Sequence, residues 1–108
     1  MLKIDGKKIT GKVKFANNTF QRMKGLMFED QGKFDYALVF EFPSESKIGT
    51  SLHMVFVFFP IDVLFLSKAK QVVDKVTLQP FTPNYTPKKA AKFVVEMPVG
   101  FGKSAEIS

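Results

Sequence analysis

The sequence predicts a mostly β protein, a single compact β-sandwich or distorted barrel with one short helix. Three observations carry that expectation: short runs alternate apolar and polar residues at period two, turn residues separate the runs at even spacing, and only one stretch has helical spacing. With 108 residues, 45% of them hydrophobic, the chain has room for one core of ordinary size, so residues 1–108 are expected to form one domain. Thirteen Phe, two Tyr and no Trp make that core rich in rings without polar tips.

The elements follow in order. Leu2–Asp5 and Lys8–Phe15, turning about Asp5-Gly6, read as a hairpin with Ile9, Val13 and Phe15 on one face and lysines on the other. Asn17, Asn18 and Thr19 supply N-cap chemistry for a helix of about two turns that carries Phe20 and Met23 and stops at Gly25. Phe34–Phe42 alternates, with Tyr36, Leu38, Phe40 and Phe42 on one face, and Pro43 is expected to end it. Ser51–Phe59 is apolar at both parities, which predicts a central strand covered on each side, and Pro60 interrupts its ladder. Ile61–Ser67 and Gln71–Gln79 pair about a Lys68-Ala69 turn. Pro80, Pro83 and Pro87 fix an extended loop bearing Phe81 and Tyr85, and Lys92–Met97 forms the last strand. No repeat or internal linker is visible.

Composition narrows the chemistry. The absence of cysteine excludes disulfides, cysteine-ligated zinc, iron–sulfur clusters and a cysteine nucleophile, and no cofactor is expected. The net charge of +6 invites a polyanion partner. Its distribution argues otherwise. The lysines fall in two patches, Lys3 to Lys14 and Lys88 to Lys92, around an acidic middle of Glu29, Asp30, Asp35, Glu41 and Glu45. Arg22 is the lone arginine, and it is the guanidinium fork that makes bidentate phosphate and guanine contacts. Nucleic acid is thus a possible partner that is not favoured. Met1 to Gly6 has no apolar leader, and Leu52 to Leu66 contains His53, Pro60 and Asp62 and is too short for a helical membrane span. A cytoplasmic protein without a membrane span is expected.

Three segments line up in order: Arg22-Met23-Lys24-Gly25-Leu26-Met27-Phe28, then His53-Met54 running through Pro60-Ile61-Asp62-Val63-Leu64-Phe65-Leu66, then Phe93-Val94-Val95-Glu96-Met97-Pro98-Val99-Gly100. This arrangement resembles the family catalogued as domain of unknown function 192, over about Arg22 to Gly100. The resemblance implies a compact, mostly antiparallel β-fold and no established activity. The chain departs from the family pattern at His53, where the pattern has Trp, and at Val55, Phe56 and Val57, where it has Lys-Asn-Thr.

Candidate site residues fall into two groups. Asp62 shares its strand face with Leu64 and Leu66, so its carboxylate needs a partner, for which Arg22, a helix end or backbone amides are the candidates. Glu96, among Val94, Val95 and Met97, poses the same question. Polar staples are the commoner role for such groups, and Asp62→Ala is then expected to cost on the order of 3 kcal/mol. If the two carboxylates shared an open pocket, hydrolase or lyase chemistry would follow instead. The second group is His53, Phe81, Tyr85 and Lys88, rings and charge on or near the Pro-rich loop that suit a ligand or protein partner not identified by sequence. His53 is the single histidine; with Met54 it could address Cu(I), but neighbouring strand residues point to opposite faces. The glycines of Gly100-Phe101-Gly102-Lys103-Ser104 are too close together for a phosphate loop. The expected function is a non-catalytic binding module, with the carboxylate-pair enzyme and polyanion binding as alternatives.

Overall fold

The computed structural model describes residues 2–4, 7–9, 12–16, 30–54 and 56–100. Among them run seven strands and two single 3-10 turns: β1 (Leu2–Ile4), β2 (Lys7–Ile9), β3 (Lys12–Ala16), β4 (Tyr36–Ser46), β5 (Ile61–Leu66), β6 (Val72–Leu78) and β7 (Ala91–Pro98), with the turns at Gln31–Lys33 and Ile48–Thr50. The fold is mostly β, as the alternation requires. The predicted helix near Asn17 to Gly25 lies outside the described residues.

β1 and β2 form the predicted antiparallel hairpin, Leu2 opposite Ile9 and Ile4 opposite Lys7. The run does not continue to Phe15 in that sheet. β3 instead enters a five-stranded sheet of order β3-β4-β7-β5-β6, parallel to β4 and with the remaining pairs antiparallel. As a result Phe15 lies on an edge strand and is 55% exposed rather than covered.

Two apolar layers sandwich this sheet. One face carries Phe34, Tyr36, Leu38, Phe40, Met54, Val57, Phe59, Ile61, Val63, Phe65, Leu78 and Val94, and the other Ala37, Val39, Leu64, Leu66, Val95 and Met97. Strands covered on both faces lose the polar alternation, which is why Val63–Leu66 of β5 and Phe93–Val95 of β7 read as continuous apolar runs. β4 keeps the predicted Tyr36, Leu38, Phe40 and Phe42 face but also buries Ala37 and Val39, and it runs past Pro43 to Ser46. Pro43 is tolerated because the β4–β7 register shifts between Glu41 and Ser46, where a missing N–H breaks no ladder bond.

The predicted central strand is the main correction. The segment 51–59 is irregular, with one isolated bridge at Leu52, and the middle of the sheet is occupied by β7. Its double-sided apolar pattern has another cause: Met54, Val57 and Phe59 are buried in the core, whereas Phe56 and Phe58 face solvent.

Candidate functional site

The irregular segment 51–60 lies against the Pro-rich loop 79–87, and backbone bonds join the two. Leu52 and Tyr85 exchange N–H···O bonds of 2.8 and 2.7 Å, the Met54 amide donates to the Thr82 carbonyl at 2.7 Å, and the Phe81 amide donates to the Met54 carbonyl at 3.0 Å. Ser51 Oγ and Thr86 Oγ1 share a further hydrogen bond of 2.8 Å. Pro80, Pro83 and Pro87 lack the N–H groups that a regular ladder needs, so the pairing remains a few isolated contacts.

At the Phe81 end of this junction three phenylalanines stand outward. Phe56 is 42% exposed, Phe58 59% and Phe81 48%. They form one group centred on Phe81, whose ring meets Phe58 at 5.0 Å and Phe56 at 6.5 Å, both edge-to-face. Phe56 and Phe81 have φ of 59° and 60°. A bulky residue in the left-handed region costs about 1 kcal/mol or more, and such strain persists where the surroundings enforce it and concentrates at functional positions. His53 is exposed on the same segment.

Tyr85 and Lys88 do not join the exposed rings. The Tyr85 hydroxyl donates to Asp74 Oδ2 at 2.6 Å, and its ring lies on Phe65 with centroids 5.8 Å apart. Lys88 contributes its backbone N–H to the same Asp74 oxygen at 3.2 Å, while Asp74 Oδ1 accepts from the Lys75 amide at 2.8 Å. Buried Asp74 thus anchors the far end of the loop. Hydrogen bonding to Asp74 first, then burial, then the carboxylate's charge push the Tyr85 hydroxyl up to about 12. Of the four proposed ligand residues, the structure brings only Phe81 into the aromatic group.

The two carboxylates are neighbours in register yet cannot act as a pair. Asp62 on β5 is opposite Met97 and Thr77, on the face of Leu64 and Leu66; Glu96 on β7 is opposite Leu38 and Val63, on the other face. The sheet separates them. Asp62 is half-buried and accepts from the Thr77 hydroxyl at 2.6 Å and the Gly100 amide at 2.9 Å. Gly100 can present that amide because it adopts φ of 88°, a conformation that favours glycine. Arg22 lies outside the described residues. With Asp62 partly solvated, Asp62→Ala is expected to cost about 1 to 2 kcal/mol rather than the 3 that full burial implies, checked by urea unfolding. Among the described residues no group of three or more His, Asp or Glu side chains could hold a metal ion.

Residues 1–108 match the family DUF192, described as "Uncharacterized ACR". The chain belongs to that family. Curated DUF192-like relatives include a UPF0127 protein of Thermococcus sibiricus, 44% identical over 98 residues, covering 91% of this chain and 62% of the relative. A UPF0127 protein of Thermococcus kodakarensis is 40% identical over 102 residues, covering 94% of this chain and 63% of the relative. The chain therefore spans about three fifths of the length of these two relatives. The fold is shared with the crystal structure of a Sinorhizobium meliloti 1021 protein named as a candidate transcription regulator, at TM-score 0.77 and 22% identity over 89% of this chain and 74% of that one. A Novosphingobium aromaticivorans protein of unknown function gives TM-score 0.75 at 18% identity over 89% of this chain and 69% of that one.

Phe56 holds its ring at φ of 59°. Asn is enriched at positive φ because its short polar side chain bonds locally, so this chain places a ring at a position better suited to Asn. Asp74, Phe56 and Phe58 were not singled out in the sequence. The available signals were an aspartate among valines in β6 and a Phe-rich run too dense for one buried face.

Proposed function

We propose that the chain is a single β domain that binds rather than catalyses, and that Phe56, Phe58 and Phe81 form its recognition surface, with His53 exposed on the same segment as Phe56 and Phe58. The observation that carries this reading is the exposed, mutually packed ring triplet, two of whose members hold left-handed backbone. Rings fixed in place lose little conformational entropy on binding, which is how aromatic anchors concentrate affinity. Ring contact also suits an uncharged ligand face better than a polyanion. The Lys92 ammonium is paired with Glu41 at 3.1 Å.

Phe56→Asn separates function from folding. It relieves the left-handed strain, so unfolding free energy is expected to rise by about 1 kcal/mol, whereas removal of a ring weakens binding. Phe81→Ala is expected to weaken binding at least tenfold, being the ring that touches both others. Both variants are titrated beside the wild type against peptide, glycan and oligonucleotide libraries at low and high salt. Binding that is insensitive to salt and lost in both variants supports the reading. Binding that weakens steeply with salt and survives in both variants assigns recognition to the lysines and overturns it.

A further inference from the structure

Glu96 occupies the middle of a row running straight across the sheet. Lys14 on β3, Leu38 on β4, Glu96 on β7, Val63 on β5 and Val76 on β6 are successive partners in register. The glutamate is 6% exposed, and its Oε1 has no hydrogen-bond partner among the described residues. Its two cross-strand neighbours on that face, Leu38 and Val63, are apolar. A carboxylate needs several donors to replace its hydration; the neutral acid needs far less.

The other titratable groups on this face whose side chains are described are committed elsewhere. On the β3–β4 side the Lys14 ammonium sits 4.1 Å from the ring centroid of Tyr36. At β6 and the Pro-rich loop, Asp74 and Tyr85 are bonded to each other. The β5 residues of this face, Ile61, Val63 and Phe65, carry no charge, nor do Phe34, Met54, Val57 and Phe59, which pack in the same core cluster. Lys92, on Glu96's own strand, pairs with Glu41, and His53 on the covering segment is exposed. The lysine of the row is two strands away, about 10 Å at the backbone, with Leu38 between.

We propose that Glu96 is a proton-gated lock on the sheet: as a neutral carboxylic acid it closes the β4–β7–β5 centre, and loss of its proton favours opening of that centre. Burial pushes the Glu96 carboxyl up to about 8 from an ordinary 4.5. Between those values the folded chain holds a proton that the unfolded chain has released. The stability that Glu96 contributes is therefore complete below about 4.5 and is lost as pH rises through 8, by up to tenfold in the folding equilibrium per pH unit, levelling above it. The device is independent of what the exposed rings bind.

Urea unfolding of the wild type and Glu96→Gln between pH 5 and 9 tests it. Glutamine keeps the shape and cannot ionise, so the wild-type folding equilibrium is expected to fall relative to the variant by at least a hundredfold across that range. Parallel pH profiles would overturn the proposal. Should Glu96→Gln not fold, carbon-13 NMR of the Glu96 carboxyl in the wild type decides alone: titration near 8, with amide protection in β7, taken relative to the intrinsic base-catalysed rate, falling over the same range, supports it. Titration of that carboxyl between 4 and 5 in the folded chain refutes it.

Discussion

Phe65→Ala is expected to lower the unfolding free energy by about 4 kcal/mol, near the upper end of what one core truncation costs. Phe65 is wholly buried on β5, opposite Asp74 on β6 and Val94 on β7, and its ring supports Tyr85 at 5.8 Å. Truncation removes transfer free energy and leaves a void that two flanking strands hold open. The same void lies beneath the Pro-rich loop, so proteolytic cleavage between Gln79 and Pro87 should accelerate as well. Phe65→Leu, which refills most of the volume, is expected to cost about 1 kcal/mol. Urea unfolding measures both, with Phe15→Ala as a control at a ring that is 55% exposed. Equal losses in Phe65→Ala and Phe15→Ala would contradict the assigned packing.

Asp74→Ala is the second large effect, at about 3 kcal/mol, because a buried carboxylate that satisfies three donors disappears and leaves them unpaired. The donors are the Tyr85 hydroxyl and the amides of Lys75 and Lys88. Asp74→Asn retains an acceptor and should lose less. The Tyr85 hydroxyl provides a second readout. Its value of about 12 in the folded state lies above the ordinary 10.0, so the stability it contributes is complete below about 10 and is lost as pH rises through 12. In Asp74→Asn the hydroxyl should titrate closer to 10, followed by tyrosine absorbance with Tyr36 as the other chromophore. A Tyr85 titration unchanged by Asp74→Asn would remove Asp74 as its cause.

Several features were legible because they are local. The Asp5-Gly6 turn signal preceded the β1–β2 hairpin, the Tyr36 to Phe42 alternation gave a core face, and the Lys68-Ala69 turn joined β5 to β6. The segment 51–59 was misread because a two-sided apolar run has two explanations. A central strand buries both parities; a loop that plants Met54, Val57 and Phe59 and displays Phe56 and Phe58 leaves the same letters. Periodicity cannot separate them when the outward residues are themselves apolar. The aromatic group was half visible for the same reason, with Phe81 expected and its two partners hidden inside a presumed strand.

By itself the sequence determined that the protein is mostly β, rich in phenyl rings, free of cysteine chemistry and related to DUF192, since alternation, composition and ordered motifs are properties of the chain read one window at a time. It also marked Asp62 and Glu96 as carboxylates in apolar company. Only the tertiary structure decided their fates. Strand register places their backbones side by side, while the pleat sends the two side chains to opposite faces, giving Asp62 a hydroxyl and an amide and leaving Glu96 Oε1 with none among the described residues. Which residues meet across a sheet is set by pairings between distant segments, and a shift of one position would have exchanged those faces.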